Sequence, residues 1–180
     1  VSLGERGAGT RATATLVLEP SGITEKHVKI EQMPVAAATA RLADGTIDAL
    51  FLVGDTPITA ITALALKTDL SFLPVDGDKA EALRRDHPFL TVDLLPAGIY
   101  RNSPPVITVG VGTFWLVSSD LDTELVYGIT KALWHPSTRK LLDEGSPIGR
   151  RIRLATALLA LPIPLHDGAA RFYSEANQSR

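Results

Sequence analysis

The strongest constraint on the fold is a regular alternation of strand and helix patterns through the first half of the chain. Short apolar or alternating stretches predict strands at 1–3, 27–31, 47–53, 70–73 and 91–94. Helical apolar spacing lies between them, at 10–19, 35–43, 58–66 and 79–86. This order indicates an open, mostly parallel sheet with helices on both faces. The predicted fold class is therefore α/β, with one doubly wound lobe.

The pattern changes between about 105 and 118, beyond which little strand signal remains. Segment 101–105 is polar and contains prolines, as is typical of a hinge or loop, and a long extended run at 106–117 follows it. Asp120 or Asp122 is expected to cap the next helix. Further helices are predicted at 121–133, 136–142, 154–160 and 169–175. We therefore divide the chain into segments 1–105 and 106–180.

The opening segment 1–11 predicts a buried strand, a glycine-rich turn and the start of a helix, with Thr10 as candidate N-cap. Such a turn presents free backbone N–H groups and the positive end of a helix dipole, which suit a carboxylate or phosphate. Its candidate ligand-binding residues are Gly7, Ala8, Gly9, Thr10 and Arg11. Arg11 would either bind a carboxylate in bidentate fashion or stay solvated at the surface. The alternative for the whole turn is a tight connection without a ligand.

The glycines of this turn do not identify a nucleotide. They fall at 4, 7 and 9, an order that differs from the dinucleotide fingerprint, and no Gly-Lys-Ser/Thr follows them. The sequence therefore predicts an anion site of unspecified ligand.

A second strand-to-helix turn follows the apolar run 47–53. It supplies four more candidate ligand-binding residues, Gly54, Asp55, Thr56 and Pro57. Ligands of open α/β sheets bind outside the carboxyl ends of the strands, so we expect both turns to line one cleft. Asp55 would accept a hydrogen bond from a ligand ammonium or cap its own helix. Tyr100, which follows a turn containing Ala97, would reach the ligand with its hydroxyl or simply pack; both are in the candidate set.

Composition and motifs disfavour several function classes. A net charge of −2 without a block of like charge argues against nucleic-acid binding. The absence of cysteine excludes disulfides, thiolate metal sites and a cysteine nucleophile. The four histidines share no metal spacing, and no Gly-x-Ser-x-Gly elbow or paired-carboxylate constellation stands out, so we predict no enzyme, metal or cofactor. His166 could be a base, but a structural role beside the prolines is the favoured interpretation.

The chain begins at Val1, inside a strand and without Met, and no apolar run reaches the length of a membrane helix. We expect a processed or truncated chain.

Several blocks resemble the TAXI family of solute-binding receptors, which serve tripartite ATP-independent periplasmic (TRAP) transporters. The resemblance covers nearly the whole chain, and its closing block is the most specific. The blocks are Val1-Ser2-Leu3-Gly4-Glu5-x-Gly7-x-Gly9-Thr10; Ile47-Asp48-Ala49-x-Phe51 with Thr56-Pro57-Ile58; Pro96-Ala97-Gly98-x-Tyr100; Leu125-Val126-Tyr127-x-Ile129-Thr130-Lys131-Ala132-Leu133; and Leu161-Pro162-Ile163-Pro164-Leu165-His166-x-Gly168-Ala169-Ala170-Arg171-x-Tyr173.

The resemblance implies a two-lobed periplasmic-binding-protein fold of type II that closes on a small ligand. It implies an extracytoplasmic receptor for glutamate, a related amino acid or a dicarboxylate such as 2-oxoglutarate, with membrane permease subunits as partners. Segment 1–105 would be the second ligand-binding lobe. Segment 106–180 would be the crossing strand and the C-terminal helices that pack on a first lobe lying before Val1.

Two departures from the family pattern bear on the ligand. Arg6 stands where the family often has Pro or a small residue, and Gly54-Asp55-Thr56 replaces a more usual Ala-Gly-apolar turn. An extra acid beside an anion-binding turn favours an amino acid, with Asp55 near the ammonium and the turn at 7–11 on the carboxylate.

Two other function classes remain open. One is a small α/β enzyme acting on phosphorylated or carboxylated metabolites, and the other is a stand-alone periplasmic sensor or surface protein of the same fold. We also expect apolar surface within 118–180 to drive self-association.

Overall fold

A computed structural model describes residues 1–24, 26–145 and 148–178, and within them the chain is a mixed α/β protein. This part of the chain forms seven α-helices and one antiparallel pair of strands. The helices are α1 Gly9–Leu18, α2 Val35–Ala43, α3 Thr59–Ala65, α4 Gly77–Asp86, α5 Thr123–Leu133, α6 Pro136–Gly145 and α7 Asp167–Gln178. The strands are β1 Leu90–Leu95 and β2 Val106–Val111, and three short 3-10 helices lie at Glu19–Ser21, Gly149–Arg151 and Leu154–Thr156.

The chain divides into two compact units, Val1–Val111 and Gly112–Arg180. The roles given to the predicted segments 1–105 and 106–180, as a ligand-binding lobe and as helices that pack on another lobe, stay predictions.

The centre of the first unit is Ser2, whose backbone joins two neighbouring segments in parallel. Ser2 forms single parallel bridges with Glu31 on one side and Leu50 on the other. The Ser2 N–H donates to Ala49 O at 3.0 Å, and the Phe51 N–H donates to Ser2 O at 2.8 Å. The predicted parallel order is therefore present around Ser2, but as single bridges.

The predicted strands 27–31, 47–53 and 70–73 do not extend into ladders. Leu70 and Phe72 run without strand pairing and pack instead against the buried cluster of Ile61, Ala65 and Tyr100. The strand predicted at 91–94 is confirmed as β1, which pairs antiparallel with β2, so that Val92 faces Val109. Of the extended run predicted at 106–117, residues Val106–Val111 are confirmed as β2, and strand pairing stops there.

The helices follow the sequence prediction closely, with one exception. The helix predicted at 154–160 is wrong, because a 3-10 helix covers only Leu154–Thr156. Ala160 then adopts φ 54°, a left-handed conformation that stops a right-handed helix, and Pro162 follows two residues later.

The second unit is held together by the packing of α7 on α5. Gly168 permits the close approach: a Cβ there would lie 2.3 Å from Thr123 O and 2.7 Å from Tyr127 N. Asp122 caps α5, because its carboxylate accepts from Leu125 N–H at 2.9 Å. The prediction that Asp120 or Asp122 caps this helix is confirmed for Asp122.

Candidate functional site

The opening turn places a helix N-terminus next to the centre of the first unit. Gly4 and Gly7 adopt φ 86° and 77°, and a Cβ at Gly4 would lie 3.1 Å from the Thr10 side chain. α1 begins at Gly9, with Ala8 in extended conformation as its N-cap and no side-chain cap hydrogen bond. The prediction of Thr10 as N-cap is therefore wrong, because Thr10 already lies inside the helix.

The hydroxyl of Thr10 bonds to the backbone of segment 47–53 instead of capping its own helix. It accepts a hydrogen bond from the Val53 backbone N–H at 3.2 Å. Val53 immediately precedes the turn of Gly54, Asp55, Thr56 and Pro57, whose Thr56-Pro57 peptide bond is cis. The two predicted turns are thus connected by a direct contact.

Asp55 does not cap the helix that follows it. The N-cap of α3 is Ile58, whose side chain forms no capping hydrogen bond. Asp55 is exposed. Capping of α3 by Asp55, one of the two expectations for this residue, is therefore wrong.

Tyr100, and not Asp55, bonds to the backbone at the start of α3. Its hydroxyl accepts from the Ile58 backbone N–H at 2.9 Å, and its ring stacks on Phe72 with centroids 5.1 Å apart. The Tyr100 side chain is buried, at 3% exposure, whereas Ala97 is exposed. Of the two expectations for Tyr100, packing is the one that these contacts match.

A cavity of about 150 Å³ opens beside the N-terminus of α1. Of the predicted site residues, Ala8 and Thr10 line it. Polar lining comes also from Ser2, Gly4 and Glu5, and apolar lining comes from Met33, Val35, Ala38, Leu50, Phe51 and Leu52. Sequence patterns did not single out these additional residues. Ser2, Leu50 and Phe51 lie in predicted strands next to predicted turns, and that position is the signal that could have found them.

Arg11 lies at a different cavity. It lines a space of about 90 Å³ together with Leu3 and Ile30 and with Thr15 and Leu18 of α1. Because Ser2 and Leu3 are consecutive in an extended segment, their side chains point to opposite faces, and the two cavities lie on these opposite faces. The structure therefore does not bring Arg11 together with Ala8 and Thr10 around one space.

Ion pairs at Glu31 connect segment 29–31 to α2 beside the cavity. Glu31 pairs with Lys29 at 3.1 Å and with Arg41 of α2 at 3.1 Å. The Lys29 hydrogen bond and charge, followed by those of Arg41, lower the pKa of the Glu31 carboxyl from its ordinary value. These contacts tie segment 29–31 to α2, which supplies part of the cavity lining.

The closing block of the sequence packs against α5. The Gly168 N–H donates to His166 Nδ1 at 3.2 Å, so Nε2 is the ring nitrogen that donates to Leu121 O at 3.1 Å. Arg171 forms a bidentate ion pair with Glu124 at 2.6 and 2.9 Å and stacks over the Tyr127 ring. The favoured structural role of His166 matches these contacts.

Within 1–24, 26–145 and 148–178, no group of three or more His, Asp or Glu side chains is arranged to hold a metal ion. Among the same residues, every helix falls short of the length and apolar character that crossing a membrane requires.

Comparison with known families identifies the class of protein. The family model described as NMT1-like family matches residues 1–176. The chain therefore belongs to the NMT1-like family, which is of the periplasmic solute-binding type and implies a periplasmic-binding-protein-like fold. Membership indicates a small-molecule ligand and a membrane transporter as partner. The resemblance to solute-binding receptors is confirmed at this level, and the TAXI assignment stays a prediction.

Proposed function

We propose that this member of the NMT1-like family is an extracytoplasmic receptor that captures a small carboxylate for TRAP-type secondary transport. The observation that carries the proposal is the N-terminus of α1, which begins without a side-chain cap beside a cavity lined by Ala8 and Thr10. The first N–H groups of a helix have no intrahelical acceptor and carry the positive end of its dipole, so an anion is stabilised there.

The two turns would act together on the ligand. The Thr10 hydroxyl accepts from Val53 N–H, and this bond holds the start of α1 against the segment that leads to Gly54 and Asp55. A ligand carboxylate at residues 7–10 would therefore meet a preorganised set of donors, and binding would lose little free energy to ordering of the turn. Hinge closure of two lobes and delivery to permease subunits are the remaining parts of the proposal, and they rest on the TAXI resemblance.

Glutamate, related amino acids and dicarboxylates are the first ligands to test, and a thermal-shift screen followed by calorimetry is the direct experiment. We expect a carboxylate to raise the Tm and to be recovered chemically unchanged. A carboxylated or phosphorylated metabolite that is converted to product would favour the small α/β enzyme. A gene position apart from any TRAP permease would favour a stand-alone sensor.

Asp55 is proposed to accept from the ammonium of an amino-acid ligand. Its exposure leaves the carboxylate accessible, and it lies two residues beyond the Val53 contact. Asp55→Ala should weaken glutamate binding about tenfold or more in calorimetry, since a hydrogen bond to a charged group contributes about 1.5–3 kcal/mol. Asp69→Ala, at another exposed aspartate of the same unit, is the matched control. Unchanged glutamate affinity in Asp55→Ala would contradict this role.

Self-association through apolar surface of the second unit is a further part of the proposal. Several large apolar side chains within 118–180 are exposed, including Leu125 at 52%, Leu141 at 71%, Leu159 at 62% and Ile163 at 56%. Exposed apolar side chains in such number favour association. Sedimentation velocity should show dimers or larger species, whereas a monodisperse monomer would refute this expectation.

A further inference from the structure

We infer that the cavity at the opening turn receives the apolar body of a monocarboxylate ligand and rejects a second carboxylate. This inference rests on the proposed function and narrows its substrate class. Among the amino acids and carboxylates of the proposed function, it ranks those with a small branched or linear hydrocarbon group above glutamate and the dicarboxylates.

The walls of the cavity are the first reason. Beyond the turn, the lining residues have aliphatic, thioether and aromatic side chains, and apolar atoms make the larger part of the lining surface. These residues come from α2, from the segment before it and from segment 50–52, among them Met33, Val35, Leu50 and Phe51. Met33 is 9% exposed and packs in a buried cluster with Ala38 and Ile47. A ligand group inserted here leaves water for an apolar surface, which favours hydrocarbon and penalises an ionised group.

The charge near the cavity is the second reason. Glu5 is the ionisable residue that lines it, and it lies in the turn between Ser2 and Ala8. A dicarboxylate brings two negative charges near Glu5 and a monocarboxylate brings one, so the repulsion is larger for the dicarboxylate, and its second carboxylate would also meet the apolar wall.

Ser2 provides a polar anchor inside the cavity. Its side chain is 1% exposed, and among the described residues its hydroxyl accepts one hydrogen bond, from Gly4 N–H at 3.4 Å, and donates none. A serine hydroxyl carries one donor, so a ligand oxygen in the cavity would be its acceptor. Ser2 therefore marks where the single carboxylate would turn toward the first N–H groups of α1, with the hydrocarbon directed toward Met33 and Leu50.

The volume sets the size of the hydrocarbon group. A cavity of about 150 Å³ is large enough to hold a benzene-sized molecule. A branched chain of about four to six carbon atoms fits within that space, so leucine and 4-methylpentanoate are suitable probes.

The decisive comparison uses ligands of the same heavy-atom shape. Leucine and aspartate differ by two methyl groups in place of two carboxylate oxygens, and 4-methylpentanoate and succinate differ in the same way. We expect calorimetry on the full chain to give at least about tenfold tighter binding for the apolar member of each pair. Tighter or equal binding of succinate and aspartate would overturn this inference and leave the proposed function standing. Absence of binding by all four ligands would overturn this inference, and the proposed function would fall with it only if glutamate and 2-oxoglutarate also failed to bind.

A matched pair of variants tests the location. Val35 lines the cavity and is the first residue of α2, whereas Ala37 is exposed in the same helical turn and does not line it. An aspartate in the first turn suits the helix dipole at either position, so both Val35→Asp and Ala37→Asp should fold. Val35→Asp should weaken 4-methylpentanoate binding about tenfold, and Ala37→Asp should leave it within about twofold. Equal affinities for the two variants would show that the ligand binds elsewhere and would overturn the inference.

Discussion

The side-chain oxygen of Thr10 lies 3.2 Å from the backbone nitrogen of Val53, and this hydrogen bond joins the two strand-to-helix turns of the first unit. Thr10 and Val53 are 43 residues apart in sequence. The contact makes the geometry of one turn depend on the other, so a change at Thr10 should affect both.

Replacing Thr10 with valine tests that dependence. Thr10→Val keeps the shape of the side chain but removes the acceptor for Val53 N–H, so the free energy of unfolding should fall by about 1 kcal/mol. Urea unfolding followed by circular dichroism measures the change. Thr10→Ser keeps the hydroxyl and is the matched control. If Thr10→Val unfolds with the same free energy as the native protein, the hydrogen bond from Val53 N–H contributes nothing measurable and the prediction is wrong.

Tyr100→Phe tests the structural role of a residue that sequence patterns placed in the candidate site. The substitution keeps the ring stacked on Phe72 but removes the acceptor for Ile58 N–H, so unfolding free energy should fall by about 1–2 kcal/mol. The same urea experiment measures it, and ligand affinity is determined in parallel. A loss of affinity without a loss of stability would mean that the hydroxyl acts on the ligand instead.

Gly168→Ala should separate α7 from α5. The added Cβ would collide with Thr123 O and Tyr127 N, so we expect a destabilisation of about 1–3 kcal/mol. Gly128 of α5 is the matched control, because a Cβ there meets no atom within 4 Å. Gly128→Ala should stabilise the helix by up to about 1 kcal/mol. Trp134, which donates from Nε1 to Tyr173 OH across the same pair of helices, supplies a fluorescence signal for the urea transition. Similar effects of the two substitutions would contradict close packing at Gly168.

The ion pair of Glu124 and Arg171 makes the second unit sensitive to acid. The hydrogen bond from Arg171, followed by its charge, lowers the pKa of the Glu124 carboxyl below its ordinary value of 4.5. A carboxyl whose folded pKa is lowered stabilises the fold above its unfolded pKa, and that contribution is lost as pH falls through the folded value. Native protein should therefore lose more stability between pH 7 and about pH 3 than Glu124→Gln does.

The pH experiment has a control in the first unit. Glu81→Gln removes an exposed carboxyl of α4 and should retain the acid sensitivity of the Trp134 transition. Equal acid sensitivity in native protein and Glu124→Gln would show that the ion pair contributes nothing measurable, as is found for many exposed pairs.

The sequence was a good guide to the helices because their limits are encoded locally. α2 coincides with its predicted range, since its apolar spacing ends at Asp44-Gly45, where Gly45 adopts φ 75°. The helix predicted at 154–160 was wrong because Ala160 leaves the right-handed region at φ 54°, and only a 3-10 helix forms before it, at Leu154–Thr156.

Contacts between distant residues were beyond the reach of sequence patterns. A threonine at a predicted helix start suggests an N-cap, but the hydroxyl of Thr10 accepts from Val53 N–H instead. At the start of α3, Ile58 N–H donates to Tyr100 OH, which is 42 residues away in sequence. Strand lengths also depend on partners, so apolar run 47–53 contributes only the bridge at Leu50. The cavity lining likewise combines segments that no local pattern relates.

Gly4 divides the opening turn into a part that must stay constant and a part that is free to vary. Its left-handed backbone and its closeness to Thr10 leave no room for another side chain, whereas Glu5, Arg6 and Gly7 are exposed. Substitutions at 5 and 6 can therefore alter the charge around the proposed binding site without moving the backbone of Gly4. In a receptor of this kind, ligand preference can change by mutation at residues 5 and 6 while Gly4 and the turn backbone stay the same.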